Sequence, residues 1–301
     1  MADGTPVEVG GRRLSLSNLD KELYPETGTT KAEVIDYYAR IAPVMQRHTS
    51  GRCMTFRRYP NGVDGTSFFE KRCPSHRPDW VGTAAGPGDR GGEIQYCRLE
   101  EPAAFVWAAN LAALELHAPV SLAADLDAPR MVVFDLDPGD GVAIDGCAAV
   151  ALDLRTLLDS AGLVAFPKTS GSKGMQIYVP LNAPHTHALA SDFALAAGQV
   201  LERRSPKTVT TTMKRSVRGG KVFIDWSQNS RHKTTICAYS LRARPHPTVS
   251  TPVSWDEVAA AADGAPLTFE AAEVLDRVDE LGDLFAPTLA LVQHLPGGPA
   301  D

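Results

Sequence analysis

The chain lacks any run of about 18 apolar residues, so no membrane-spanning helix is expected. Its opening stretch, Met1–Arg13, is polar and glycine-rich and lacks the apolar core of a secretory leader, so export is not expected. Cysteine is scarce. The five in 301 residues (Cys53, Cys73, Cys97, Cys147 and Cys237) are scattered, odd in number and never spaced as C-x-x-C. That argues against a structural zinc site and fits reduced thiols in a cytosol. A Walker A loop is missing, as is any internal repeat. Positive charge is also in deficit: 30 Lys and Arg against 36 Asp and Glu give a net charge of −6. Taken alone, that balance argues against a nucleic-acid partner.

What is present changes that reading. With 44% hydrophobic residues the chain can bury a substantial core. Between Arg203 and Arg244 lie eleven Lys or Arg and a single acid, Asp225. The segment is +10 and the remainder −16, a segregation that can build a positive groove on an acidic protein.

The organising stretch is Met131–Pro138, M-V-V-F-D-L-D-P, followed by Gly139. Its β-branched and aromatic content predicts a strand. Alternation then places Val132, Phe134 and Leu136 on one face, with Asp135 and Asp137 on the other at the strand's exit. Lys221–Trp226 predicts a second strand bearing a third acid, Asp225, in basic surroundings. Between them Lys168–Gly174, K-T-S-G-S-K-G, links two predicted strands, Leu163–Pro167 and Met175–Pro180. Such a loop can wrap a phosphate with backbone N–H groups, or be a plain hairpin turn.

Elsewhere the spacing predicts a short helix or turn over Leu14–Pro25. A helix opens at Thr30 with a Thr30–Glu33 capping box and is kinked or ended by Pro43. Cys53–Tyr59 and Ser67–Lys71 predict strands, and in the second Phe68 and Phe69 point to opposite faces, as core or as stacking surface. Gly82–Gly92 reads as a surface loop. Helices are expected over Pro102–Glu115, Ile144–Leu163, His187–Arg203 and Ala271–Phe285, and a short one after the Ser254–Glu257 capping box. About 1–13 and 290–301 are expected to be flexible tails of a single 1–301 domain.

Three strand-borne aspartates, a Ser/Gly/Lys loop and a run of arginines form a set suited to nucleotidyl transfer. Carboxylates hold divalent ions, while cations and backbone donors hold a triphosphate.

The motifs that carry this set resemble the archaeo-eukaryotic primase superfamily. The nearest likeness is to the polymerase domain of bacterial ligase D and its stand-alone actinobacterial primase-polymerase relatives. The matching stretches are Leu23-Tyr24-Pro25, Thr27–Lys31, Tyr59–Asp64, Phe68–Lys71, Val133–Gly139, Thr169–Gly174, Gly220–Asn229 and Tyr239–Arg242. They occur in family order and span nearly the whole chain. Arg57-Arg58 departs from the family, standing where many ligase D members carry Lys-Arg.

The resemblance implies a mixed α/β fold with two sheets or lobes flanking a central metal site. It implies that Asp135, Asp137 and Asp225 bind two metal ions, Mn2+ or Mg2+, and carry catalysis. Ser170, Lys173, His117 and Arg242, with Arg57 and Gln228 nearby, would hold the phosphates of an incoming NTP or dNTP. Phe68 and Phe69 would stack on the template strand or shape its path, Arg218 would help order the active site or the primer end, and Lys21 and Lys31 would grip a downstream 5′-phosphate. The implied activity is template-dependent extension at gapped or broken double-stranded DNA, with preference for ribonucleotides. A cytoplasmic, nucleoid-associated protein acting with a separate DNA ligase and an end-binding protein, and with no membrane, is expected. No ligase or nuclease module is read in the chain, which raises excision-repair gap filling beside end joining. The alternatives are a metal-dependent nuclease or phosphoesterase using the same aspartates, a non-catalytic gap-binding module, and a sugar transferase with an Asp-x-Asp motif. The last gives no reason for Phe68-Phe69 or for the +10 segment.

Overall fold

The computed structural model describes residues 4–89 and 91–297. It is a mixed α/β protein. Among the described residues its helices are α1 (Lys31–Thr49), α2 (Pro102–Asn110), α3 (Ile144–Ser160), α4 (His187–Arg204), α5 (Trp255–Ala262) and α6 (Ala271–Leu281). None is long and apolar enough to cross a membrane. The chain divides into two compact units. The first comprises Met1–Pro119, Ile236–Ser250 and Phe269–Gly282; the second comprises Val120–Thr235, Thr251–Thr268 and Asp283–Asp301.

In the first unit, α1 starts as its capping box requires: Glu33 N–H donates to Thr30 Oγ1 (3.4 Å) and Thr30 N–H to Glu33 Oε2 (2.7 Å). Its buried stripe is Val34, Tyr37, Tyr38, Ile41 and Met45. The helix neither ends nor breaks at Pro43. One intrahelical bond is lost there, but Met45 and Thr49 continue the buried stripe and carry the helix to its end. The strands Phe68–Glu70, Thr55–Arg58 and Ala113–Ala118 lie side by side, antiparallel. α2 ends at Asn110, five residues short of the expected Glu115. Ala112 takes a positive φ of 57°, and the following Ala-Leu-Glu pairs as strand, so sheet pairing overrides its helical propensity.

Three further expectations are corrected in this unit. Residues expected as a flexible tail and a short helix or turn form the hairpin Thr5–Val9/Arg12–Leu16 around Gly10-Gly11, then a turn at Leu19-Asp20 and the strand Glu22–Tyr24. The expected surface loop at 82–92 is largely the hairpin Thr83–Pro87/Glu93–Cys97; Arg90 lies outside the described residues. The thiols are not all reduced: Cys73 and Cys97 form a disulfide, drawn together where Cys73 N–H bonds Gln95 O (2.7 Å). Twenty-four residues separate them in sequence, and no local spacing signals their meeting.

The second unit is built on a five-stranded sheet ordered Phe166–Thr169, Met175–Pro180, Met131–Pro138, Val222–Asp225, Val209–Thr210. All neighbours are antiparallel except the last pair. The central strand is almost wholly buried up to Leu136, and Phe134 packs edge-on against Phe193 of α4. α3 packs against the same strand and against α5, where Arg155 stacks on Trp255. The segment after 290 is not a free tail. Gln293 donates to the Pro180 and Val164 carbonyls (2.9 and 3.0 Å), and Leu295 is buried. Residues 298–301 lie outside the described residues.

Candidate active site

In the second unit, antiparallel pairing sets Asp135 directly opposite Asp225, and Asp137 opposite Phe223. One residue, Leu136, separates the acids of the central strand, so all three carboxylates belong to one end of one sheet. Asp225 is buried. Its Oδ1 accepts from the Ser227 amide (2.9 Å) and hydroxyl (2.6 Å), and its Oδ2 from Gln228 Nε2 (3.2 Å). Asp135 Oδ1 accepts from Gln176 Nε2 (3.1 Å). Burial, then the charge of Asp137, pushes the Asp135 carboxyl up to about 7; the Gln176 hydrogen bond opposes this, Asp225 adds to it and Lys168 opposes it.

Asn229 fixes the turn that carries Gln228. Its amide exchanges two hydrogen bonds with the Val133 backbone (2.8 Å each), taking the place of a strand partner where Val222–Asp225 has ended. The predicted phosphate loop is a tight turn. Ser170 Oγ accepts from the amides of Ser172 and Gly174 (3.2 Å each), while Lys173 is exposed. Gly174 is required: a Cβ there would lie 2.2 Å from the Leu136 carbonyl oxygen. The loop is thereby pressed against the aspartate strand. Arg218 lies with its guanidinium 3.5 Å from the Phe223 ring centroid and donates to the Met213 carbonyl (2.5 Å). It braces the strand that ends in Asp225.

In the first unit a second set converges. Across the sheet, Phe69, Arg57 and Glu115 occupy one row, with His117 two residues beyond Glu115 on the same face. Glu115 is fully buried and bridges Arg242 Nε (3.1 Å), His117 Nε2 (3.1 Å) and Arg57 Nη1 (3.6 Å). Phe69 lies under Arg57 and edge-on to His117. On the opposite face Arg58 covers Phe68 and pairs with Glu70 (3.1 Å). Both phenylalanines are exposed, at 44% and 57%, so neither belongs to the core. They sit on an edge strand, and each is held by an arginine instead of by a second layer.

Lys21, Lys31 and Arg58 line a cavity of about 160 Å³ together with Ser17, Asn18 and Asn110. Lys31 is buried, and its ammonium donates to the Ser17 carbonyl (2.6 Å). Lys21 donates to Asn61 Oδ1 (2.9 Å). These three cations give the cavity a positive lining.

The first unit thus gathers Arg57, His117, Arg242, Phe68, Phe69, Lys21 and Lys31; the second gathers Asp135, Asp137, Asp225, Ser170, Lys173, Gln228 and Arg218. Sequence reasoning missed Glu115, Gln176, Lys168 and the place of Arg58 in the lysine cavity. Lys168 is wholly buried, 5.5 Å from the Tyr178 ring centroid. The available signals were charged residues within otherwise apolar strands, L-E-L and F-P-K-T.

The donor set of the second unit is all carboxylate and amide oxygen, which suits a hard divalent cation. The buried Gln228 Oε1 lacks a hydrogen-bond partner. Among the described residues no three His, Cys, Asp or Glu side chains close into a metal cage.

A mixed α/β fold with three aspartates on paired strands beside a Ser/Gly/Lys turn suits nucleotidyl transfer. Residues 30–285 match the family model "LigD, primase-polymerase domain". The chain is 47% identical over 277 residues to the multifunctional non-homologous end joining protein LigD of Mycolicibacterium smegmatis, covering 91% of this chain and 36% of that protein. It is 30% identical over 271 residues to the bifunctional LigD of Bacillus subtilis, covering 90% and 43%. Among solved structures, the polymerase domain of Mycobacterium tuberculosis ligase D in complex with DNA matches with a TM-score of 0.86 and 43% identity, over 93% of this chain and 99% of that one. The chain belongs to the LigD primase-polymerase domain family. It spans about a third of the length of its mycobacterial relatives.

Proposed function

We propose that the chain is a template-dependent DNA-repair primase-polymerase that adds nucleotides to a primer 3′ end at short gaps or breaks, within non-homologous end joining. The observation that carries this reading is the register of Asp135 with Asp225, with Asp137 two residues on, in a chain of this family. Asp135, Asp137 and Asp225 would hold Mn2+ or Mg2+, which when bound activates the 3′-hydroxyl and neutralises the leaving pyrophosphate. The family resemblance assigns phosphate contacts to Ser170 and Lys173, and likewise to Arg57, His117 and Arg242. Gln228 steadies Asp225 (3.2 Å) beside the nucleotide. Phe68 and Phe69 stack on template bases, and exposed aromatics held by arginines suit that task. The Lys21–Lys31–Arg58 cavity receives the 5′-phosphate across the gap. Ribonucleotides are preferred, a separate ligase seals the product, an end-binding protein delivers the substrate, and the work is done in the cytoplasm at the nucleoid.

The test is incubation with a short gapped duplex, manganese, and ribo- or deoxyribonucleotides, with products resolved on a sequencing gel. Templated extension that chelation abolishes supports the reading. Primer shortening would replace it with a nuclease, and tight gap binding without either product would leave a recruitment module.

A further inference from the structure

Glu115 is the one acid among the cations and the imidazole of the first unit's cluster. Its Oε1 accepts from Arg242 Nε (3.1 Å) and the Ala243 amide (3.2 Å), while Oε2 faces His117 Nε2 (3.1 Å) and Arg57 Nη1 (3.6 Å). Burial alone would push this carboxyl up. The His117 hydrogen bond, the charges of Arg242 and His117 and the Ala243 amide outweigh it and hold it at about 2. Glu115 is therefore a permanent anion that can only accept hydrogen bonds.

Two consequences follow from charge and from hydrogens. Two guanidiniums against one carboxylate leave a positive surplus, as an anion site needs. The nitrogen of His117 that faces an obligate acceptor must carry the proton, so the neutral ring is the Nε2–H tautomer. Its Nδ1 then offers a lone pair, which repels a phosphate oxygen; only the imidazolium donates there. The groups facing the ring oppose one another. Burial disfavours the imidazolium, Glu115 favours it, and Arg242 and Arg57 disfavour it. Phe69, edge-on at 5.7 Å, carries no charge. An arriving polyanion would tip the balance.

We propose that Glu115 is the positioning residue that turns Arg57, His117 and Arg242 into a protonation-gated receptor for the nucleotide's phosphates, by fixing Arg242 through Nε and holding His117 so that it donates only as the imidazolium. The identity of the anion rests on the primase-polymerase reading; the coupling of Glu115 to His117 does not. Binding takes up one proton from solvent onto His117 Nδ1, and release returns it. Affinity therefore falls as pH rises.

The experiment measures UTP affinity of the full chain from about pH 6 to about pH 9, with the ring titration of His117 followed by NMR. The wild type, Glu115→Gln and His117→Gln are compared, so that the ionisation of UTP itself is common to all three. The wild-type affinity should fall with pH. His117→Gln should lack that dependence beyond the part due to UTP. Glu115→Gln should move the fall and the His117 titration to lower pH, and bind about tenfold more weakly near neutrality. Should Glu115→Gln fail to fold, the comparison of wild type with His117→Gln still decides the gating. Parallel pH curves for wild type and His117→Gln, or a His117 titration unmoved by Glu115→Gln, would overturn the proposal. A wild-type chain that binds no UTP, with the titration shift intact, would overturn the primase-polymerase reading and the phosphate-receptor half of the proposal with it, while supporting the Glu115–His117 coupling.

Discussion

The Lys31 ammonium donates to the Ser17 carbonyl at 2.6 Å, inside the cavity that also holds Lys21 and Arg58. Burial, then the charges of Lys21 and Arg58, lowers this lysine to about 8. Below that value it is an ammonium that attracts a phosphate; above it the charge is lost. The preference for a gap bearing a 5′-phosphate should therefore be full near neutrality and decline as pH rises past 8, the bound phosphate delaying the decline. Lys31→Met should weaken the preference by about tenfold near neutrality and abolish its decline above pH 8, Lys21 and Arg58 supplying what remains. Equal binding of phosphorylated and unphosphorylated gaps by the wild type would contradict this assignment.

Phe68 and Phe69 differ in what they lie against, Phe68 under Arg58 and Phe69 beside Arg57 and His117. Both are exposed, so Phe69→Ala should leave the melting temperature unchanged. Loss of one stacking platform should weaken templated DNA by about 1–3 kcal/mol. Fluorescence anisotropy on gapped duplex, paired with a thermal melt, checks both. A fall in stability without a change in affinity would return Phe69 to a structural role.

The strand at Met131–Pro138 and its two aspartates were legible because alternation and a proline-glycine turn are local signals. So were the capping boxes at Thr30 and Ser254. What stayed hidden depends on partners far along the chain. Ala113-Leu114-Glu115 has helical propensity and becomes strand only beside Thr55–Arg58. Glu115 looks like an ordinary strand acid until Arg57 and Arg242 arrive from 58 and 127 residues away. The Phe68–Phe69 pair suggested core, but its strand is at a sheet edge, where arginines take the place of a covering layer. The roles of Lys21 and Lys31 came from family likeness alone; spacing gave no hint that Lys31 is buried.

The disulfide between Cys73 and Cys97 closes a loop of 24 residues. A cross-link of that span restricts the unfolded chain and should stabilise the fold by about 3 kcal/mol. Denaturant unfolding with and without reductant should show the difference, and a Cys73→Ser, Cys97→Ser chain should match the reduced wild type and be blind to reductant. Identical midpoints for oxidised and reduced wild type would contradict the cross-link's contribution.

The most direct test concerns Asp137, which shares a strand with Asp135 and raises its proton affinity. Asp137→Asn removes a like charge from a crowded site, so the fold should lose no stability. Single-turnover incorporation at a gapped duplex should fall by about three orders of magnitude or more, while gap affinity and melting temperature, measured on the same preparation, stay at the wild-type value. Undiminished incorporation by Asp137→Asn would contradict the account of the site.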